Sequence, residues 1–177
     1  MAKIVAVEYL SLDGVFENPT WTQPYFDEAV AAFQAEVMRS ADALLMGRVT
    51  YEGMSQSWPA MGDDPSTGGD IMNSIGKYVP TSTLSEPTWN ATFLTGDVVE
   101  EVTGLKAGDE NLVIYGSGLL TETLRGAGLI DEYRLLICPV VIGEGRRLLT
   151  DRAPSEFTVT DNRTAPSGMV MLTLAKA

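Results

Sequence analysis

Residues 111–124 read Asn-Leu-Val-Ile-Tyr-Gly-Ser-Gly-Leu-Leu-Thr-Glu-Thr-Leu, an apolar run that breaks at two glycines and resumes with helical spacing. This strand, tight turn and helix constrains the fold more than any other stretch. Leu112, Val113, Ile114 and Tyr115 lack polar alternation, as in a strand covered on both faces of an α/β sheet. Gly116 and Gly118 permit positive φ and close approach of another group to the backbone. The free N–H groups at the start of the next helix, around Leu119, Leu120 and Thr121, carry the positive end of its dipole, which suits a phosphate or pyrophosphate. A plain chain reversal explains the same glycines, and a Gly-x-Gly alone does not separate the two readings. A Rossmann fingerprint would need a third glycine at position 121, where Thr121 stands, and would come early in the chain. A standard Rossmann domain is therefore disfavoured.

The 177 residues are 45% hydrophobic, which suits one globular domain with a substantial core. Twenty-four acids against twelve bases give a net charge of −12, which repels nucleic acid and anionic membrane. No run approaches the ~20 apolar residues of a membrane span, and the first residues read as a strand instead of a secretory leader. The expectation is a cytoplasmic protein without nucleic-acid or membrane partners. Histidine is absent and Cys138 is the lone cysteine. That removes histidine-based triads, histidine-containing zinc sites, thiolate metal sites and any intrachain disulfide, and no metal site is expected. Cys138 lies in an apolar run, where an inert buried thiol is the expectation. Chemistry must rest on carboxylates, hydroxyls, backbone amides or a cofactor.

In chain order, residues 3–10 form a strand, ended by Ser11-Leu-Asp-Gly14. A loop follows to Gln23. Phe26, Ala29, Val30, Phe33 and Val37 then have the spacing of an amphipathic helix, with Pro24 at its start. Residues 43–46 are a short strand, and Gly47-Arg-Val-Thr-Tyr-Glu52 is a second strand-to-helix junction with Thr50 as its N-cap. Trp58-Pro59 and residues 62–69 read as loop, and a short helix leads to Gly76. Residues 77–84 read as a strand bounded or weakened by Pro80, and residues 89–94 as another. A helix from Asp97 carries Val98, Val102 and Leu105. After the 111–124 unit, residues 131–142 give the longest strand. Residues 157–163 and 169–174 read as an antiparallel hairpin. Alternating strands and helices followed by a hairpin predict a mixed, mainly parallel sheet flanked by helices, with antiparallel strands at one side.

Three junctions stand in order: Met46-Gly-Arg-Val-Thr-Tyr-Glu52, Thr81-Ser-Thr83 and Ile114-Tyr-Gly-Ser-Gly118. With Ser11-Leu-Asp-Gly14, Asp131-Glu-Tyr-Arg134, Pro139-Val-Val-Ile-Gly143 and Arg147-Leu-Leu149, the chain resembles the dihydrofolate reductase superfamily. Within it, the similarity is greatest to the reductase domain of the bacterial riboflavin-biosynthesis deaminase/reductase and its stand-alone relatives. The resemblance implies a three-layer α/β fold, NADPH as cofactor and a homodimer. It places the cofactor at Gly47, Arg48, Thr50, Ser82, Thr83, Gly116, Ser117, Gly118, Leu119 and Leu120. Arg48 offers a planar cation suited to the 2′-phosphate, against the plainer reading of a surface arginine paired with an acid. Ser117 replaces a second glycine of dihydrofolate reductases, and the zinc-binding deaminase half is absent.

The function implied is hydride transfer from NADPH to a small heterocycle, pteridine-like or ribosylaminopyrimidine. The alternative is a nucleotide- or flavin-binding protein with the same fold and no turnover. A proton must also be supplied. Asp27 is the first choice, because Trp21-Thr-Gln-Pro-Tyr-Phe-Asp27 resembles the segment that carries the helix-borne acid; a first-turn acid that only stabilises its helix is the competing reading. Asp13 is second, against a plain turn aspartate. Water or Tyr9 follows. Glu8 is either outward-facing or a pocket carboxylate with a raised pKa, and Arg146 with Arg147 either meets a substrate phosphate or is a solvated pair.

Overall fold

The computed structural model describes residues 2–150 and 154–177. The apolar runs form β1 (Ile4–Leu10), β2 (Ala43–Leu45), β3 (Gly76–Pro80), β4 (Ala91–Leu94), β5 (Leu112–Tyr115) and β6 (Glu132–Ile137), and the closing hairpin is β7 (Phe157–Thr164) with β8 (Val170–Lys176). The helices are α1 (Glu28–Met38), α2 (Arg48–Met61), α3 (Gly69–Ser74), α4 (Val98–Lys106) and α5 (Gly118–Gly126). Among the described residues these strands make one eight-stranded sheet in the order β4-β3-β2-β5-β1-β6-β8-β7. Strands β1 to β6 pair in parallel, and β8 runs antiparallel to both β6 and β7. This is the expected α/β architecture, with helices on both faces.

Strand alternation decides which helix covers which face. Val5 and Val7 of β1, Leu44 of β2 and Val113 of β5 pack with Val30, Phe33 and Val37 of α1, Tyr51 of α2 and Met72 of α3. The intervening residues Ile4, Ala6, Leu45, Leu112 and Ile114 pack with Val102 of α4 and Leu120 and Leu124 of α5. Both faces are covered by apolar side chains, so β5 needs no polar alternation. Truncating a fully buried side chain such as Leu124, 0% exposed, costs about 2–5 kcal/mol.

Local boundaries differ from the sequence reading where side chains compete for the backbone. Pro24 lies in a 3-10 helix, Pro19–Tyr25, and α1 starts only after Asp27 caps it. Phe26 is 51% exposed and drops out of the apolar stripe. Thr50 is not the cap of α2. Gly47 holds the N-cap position, and Thr50 lies inside the first turn. Trp58 and Pro59 belong to the last turn of α2 instead of a loop. Strand β3 stops at Pro80, and the Thr81 hydroxyl then accepts from the amides of Thr83 and Leu84 to make a turn. Strand β6 stops at Ile137, just before Cys138-Pro139; Cys138 is fully buried, and burial pushes its thiol up to about 11, as expected of an inert core residue.

Candidate functional site

All the parallel strands point their C-terminal ends at one edge, and the strand-to-helix junctions gather there. Gly116 (φ 64°) and Ser117 (φ 67°) both adopt the left-handed conformation that swings the chain from β5 into α5. The Ser117 hydroxyl accepts from the Gly47 amide at 2.9 Å, which ties the start of α5 to the start of α2. A Cβ on Gly47 would meet Ser117 at an ordinary 3.5 Å, and the Thr50 methyl lies 3.8 Å from where a Gly116 Cβ would stand. Gly47, Thr50, Gly116, Ser117 and Leu120 thus form one cluster. Gly118 is tighter, because the Phe16 ring lies 2.6 Å from its Cβ position. Ser82 and Thr83 lie one strand further along the same edge, after β3. Arg48 pairs with Glu52 at 2.6 Å across one exposed helical turn.

Electrostatics set α2 and α5 apart. Helices α1 and α4 each close their N-terminal amides with an aspartate side chain, Asp27 and Asp97. Neither α2 nor α5 has a side-chain cap or an acid in its first turn. Their amides are left for another acceptor, and the two positive dipole ends converge through the Gly47–Ser117 bond.

The carboxylates proposed as proton donors are engaged otherwise. Asp27 accepts from the amides of Ala29 and Val30 through one oxygen and of Ser167 through the other, each at 3.0 Å. These bonds, that from Val30 first, hold its pKa below the ordinary value. Asp13 accepts from the amides of Ile142 and Gly143, the Ser11 hydroxyl and Arg147, and the Ile142 amide leads these in depressing its pKa. Amide bonds of this kind favour the ionised form of a carboxylate. The geometry gives both carboxylates structural partners: Asp27 caps a helix and pins it to the closing hairpin, and Asp13 ties the loop after β1 to the loop after β6.

A polar group foreseen only in part lies in the strip between the helices. Helix α1 sits toward the hairpin, where Glu36 pairs with Arg163 and Phe33 lies under Arg134. Helix α2 sits toward the other side, where Tyr51 packs edge-on against Phe93 of β4. Between them the C-terminal ends of β1 and β5 present Tyr9 and Tyr115, and Gln34 of α1 donates to both hydroxyls. Burial pushes both phenols up, Tyr115 to about 12, so they remain neutral hydrogen-bonding groups. The sequence signal for this trio was Gln34 itself, a polar residue bordering the apolar stripe of Val30, Phe33 and Val37. On the opposite face Glu8 is 2% exposed and accepts from Thr121 of α5 at 2.7 Å. Glu8 is thus an inward carboxyl, and burial raises its pKa to about 8. Cavities of about 400 and 270 Å³ lie at the other edge of the sheet, beside Tyr133 and Lys3, away from these junctions.

A family model described as the RibD C-terminal domain matches residues 2–172. The chain belongs to that family. An uncharacterised protein, YyaP, of Bacillus subtilis is 32% identical over 142 residues, spanning 77% of this chain and 75% of that protein. A putative riboflavin biosynthesis protein from Shewanella sp. PV-4 superposes with a TM-score of 0.72 at 20% identity, over 100% of this chain and 99% of the other. A pyrimidine reductase-like protein from Corynebacterium diphtheriae gives 0.68 at 13% identity, over 99% of this chain and 92% of the other. The Thermotoga maritima deaminase/5-amino-6-(5-phosphoribosylamino)uracil reductase gives 0.71 at 13% identity, covering 99% of this chain but 57% of that longer one. The fold is the dihydrofolate reductase-like fold of RibD C-terminal domains. Among the described residues, no helix is long and apolar enough to cross a membrane, and no group of three or more acidic or thiol side chains could hold a metal.

Proposed function

We propose that the chain is an NADPH-dependent reductase of a small heterocycle, and the observation that carries this reading is the convergence of two uncapped helix N-termini on the turn Gly116–Ser117. Membership of a reductase-like family supports it. The amides of Leu119 and Leu120 in α5 and the first-turn amides of α2 would hold the pyrophosphate, with the Thr50 hydroxyl beside them. Arg48 would exchange its exposed pair with Glu52 for the 2′-phosphate. That exchange is cheap, since an exposed pair of this kind contributes about 0.3–0.5 kcal/mol. Bound there, NADPH supplies a hydride from its nicotinamide to an electron-poor C=N or C=O carbon of the acceptor, leaving NADP⁺. The chain's part is to bind, orient and shield. With Asp13 and Asp27 committed elsewhere, the proton that completes the reduction comes to the acceptor's heteroatom from water at the open strand edge.

The test is loss of absorbance at 340 nm when the protein is mixed with NADPH and a panel of pteridines and ribosylaminopyrimidines. Turnover above the background rate is expected. Saturable NADPH binding without turnover across the panel would replace the reductase with a nucleotide-binding module.

A further inference from the structure

Helix α5 has an acid packed behind its uncapped end. Alternation along β1 turns Glu8 to the face that α4 and α5 cover, between Ala6 and Leu10 of the apolar cluster there. Its carboxyl accepts from Thr121, a residue of α5 that is itself 0% exposed. Thr121 follows Gly118 at the helix start by three residues, about 4.5 Å along the axis, so it belongs to the turn directly behind the amides of Leu119 and Leu120. Among the described residues, the groups around this carboxyl favour its neutral form. Glu122 of α5 adds a second negative charge, and Leu135, the register partner of Glu8 on β6, is buried and apolar. Tyr133 of β6 lies within electrostatic reach of Glu8, Glu122 and Arg125, and its buried hydroxyl has no hydrogen-bond partner among the described residues. Arg125 stands one turn further along α5, 3.6 Å from Glu122 and 2.8 Å from the Ser155 hydroxyl. An ionised Glu8 would draw on the same positive dipole end that a pyrophosphate needs and would repel that anion, whereas the neutral acid leaves the helix end free for it.

We propose that Glu8 is a positioning residue of the nucleotide site: the protonated acid, bonded to Thr121, seats α5 for the pyrophosphate, and nucleotide binding and ionisation of Glu8 oppose one another. The coupling rests on the reductase reading, which puts the dinucleotide at the start of α5. Linkage fixes its sign. Without nucleotide Glu8 loses its proton near pH 8, and a pyrophosphate beside it raises that pKa further. Binding between pH 8 and 9 therefore takes up part of a proton, and affinity falls as pH rises through this range. Well below pH 8 the acid is protonated with and without nucleotide, so no uptake arises from it.

The experiment titrates NADPH into the full chain by calorimetry at pH 6.5, 8 and 9, in buffers of different ionisation enthalpy that count the protons exchanged. Between pH 6.5 and 9 the wild-type Kd is expected to rise by about 5–30-fold, with proton uptake at pH 8 to 9. Glu8→Gln keeps an acceptor for Thr121 and cannot ionise, so its Kd should stay nearly level and that uptake should vanish. NADH has the same pyrophosphate and no 2′-phosphate, and it should show the same Glu8-dependent uptake. Thr121→Val removes a bond that favours the charged acid, so the fall in affinity should move to higher pH. Carbon-13 NMR of the Glu8 carboxyl reads the same coupling without any substitution: NADP⁺ should shift its titration upward. A Kd that rises with pH as steeply in Glu8→Gln as in the wild-type chain would overturn the proposal, as would a Glu8 titration that NADP⁺ leaves in place; the second result decides the matter if Glu8→Gln does not fold. Failure of NADPH to bind the wild-type chain at every pH would instead overturn the reductase reading.

Discussion

At the scale of single residues, the two aspartates show how one side chain can satisfy either a functional or a structural reading of a sequence. Asp27 stands at the start of a helix in both readings, and the three amides around it supply the structural one. Asp27→Asn should leave turnover near the wild-type rate while lowering the denaturation midpoint; a rate that collapses with the fold intact would restore Asp27 as the proton donor. Acid should act in the same way. Both aspartates have folded-state pKa values below their unfolded ones. Their contribution is therefore present above the ordinary carboxylate range and lost as pH falls below about 4. Glu8 has the opposite sign. Its pKa rises to about 8 on folding, mainly through burial, so its contribution is full below the unfolded value and is lost as pH rises toward 8. Glu8→Gln keeps the bond from Thr121 and removes the titration, so melting temperatures measured at pH 5 and pH 8 should differ less in the variant. An unchanged pH dependence would show that Glu8 is ionised in the folded chain.

At the scale of elements, the strand-turn-helix unit at residues 111–126 was legible because three signals agree: an unbroken apolar run, glycines at the turn, and helical periodicity after it. Strand β5 and helix α5 follow that reading closely. Elements were misplaced where a side chain outcompeted propensity. Asp27 delays α1, Gly47 displaces Thr50 from the cap of α2, and Thr81 closes β3 with its hydroxyl, none of which periodicity reports. The grouping of the residues expected at the cofactor was partly legible as geometry, since Gly47, Thr50, Gly116, Ser117 and Leu120 do meet. The phenol–amide trio was not, because Tyr9, Gln34 and Tyr115 are separated in sequence and meet only once α1 is laid on the sheet. The Phe16 contact on Gly118 was equally invisible. Gly118→Ala should push that ring aside without unfolding the chain, and it should weaken NADPH by altering the mouth of the turn. A folded variant with wild-type affinity would place the pyrophosphate elsewhere.

At the scale of the whole molecule, one mixed sheet with an apolar core on each face delivers two helix dipoles to one edge, and the closing hairpin holds α1 in place through Asp27–Ser167 and Glu36–Arg163. Against a net charge of −12, those two dipole ends are features of this edge that favour an anion. The most direct measurement is a calorimetric titration of NADPH and of NADH into the wild-type chain and into Arg48→Ala. The account predicts saturable one-to-one binding, NADPH tighter than NADH by roughly 10–100-fold through a charge-assisted bond to the 2′-phosphate, and loss of most of that preference in the variant. Equal affinities for the two nucleotides in the wild-type chain, or no saturable binding of either, would contradict it.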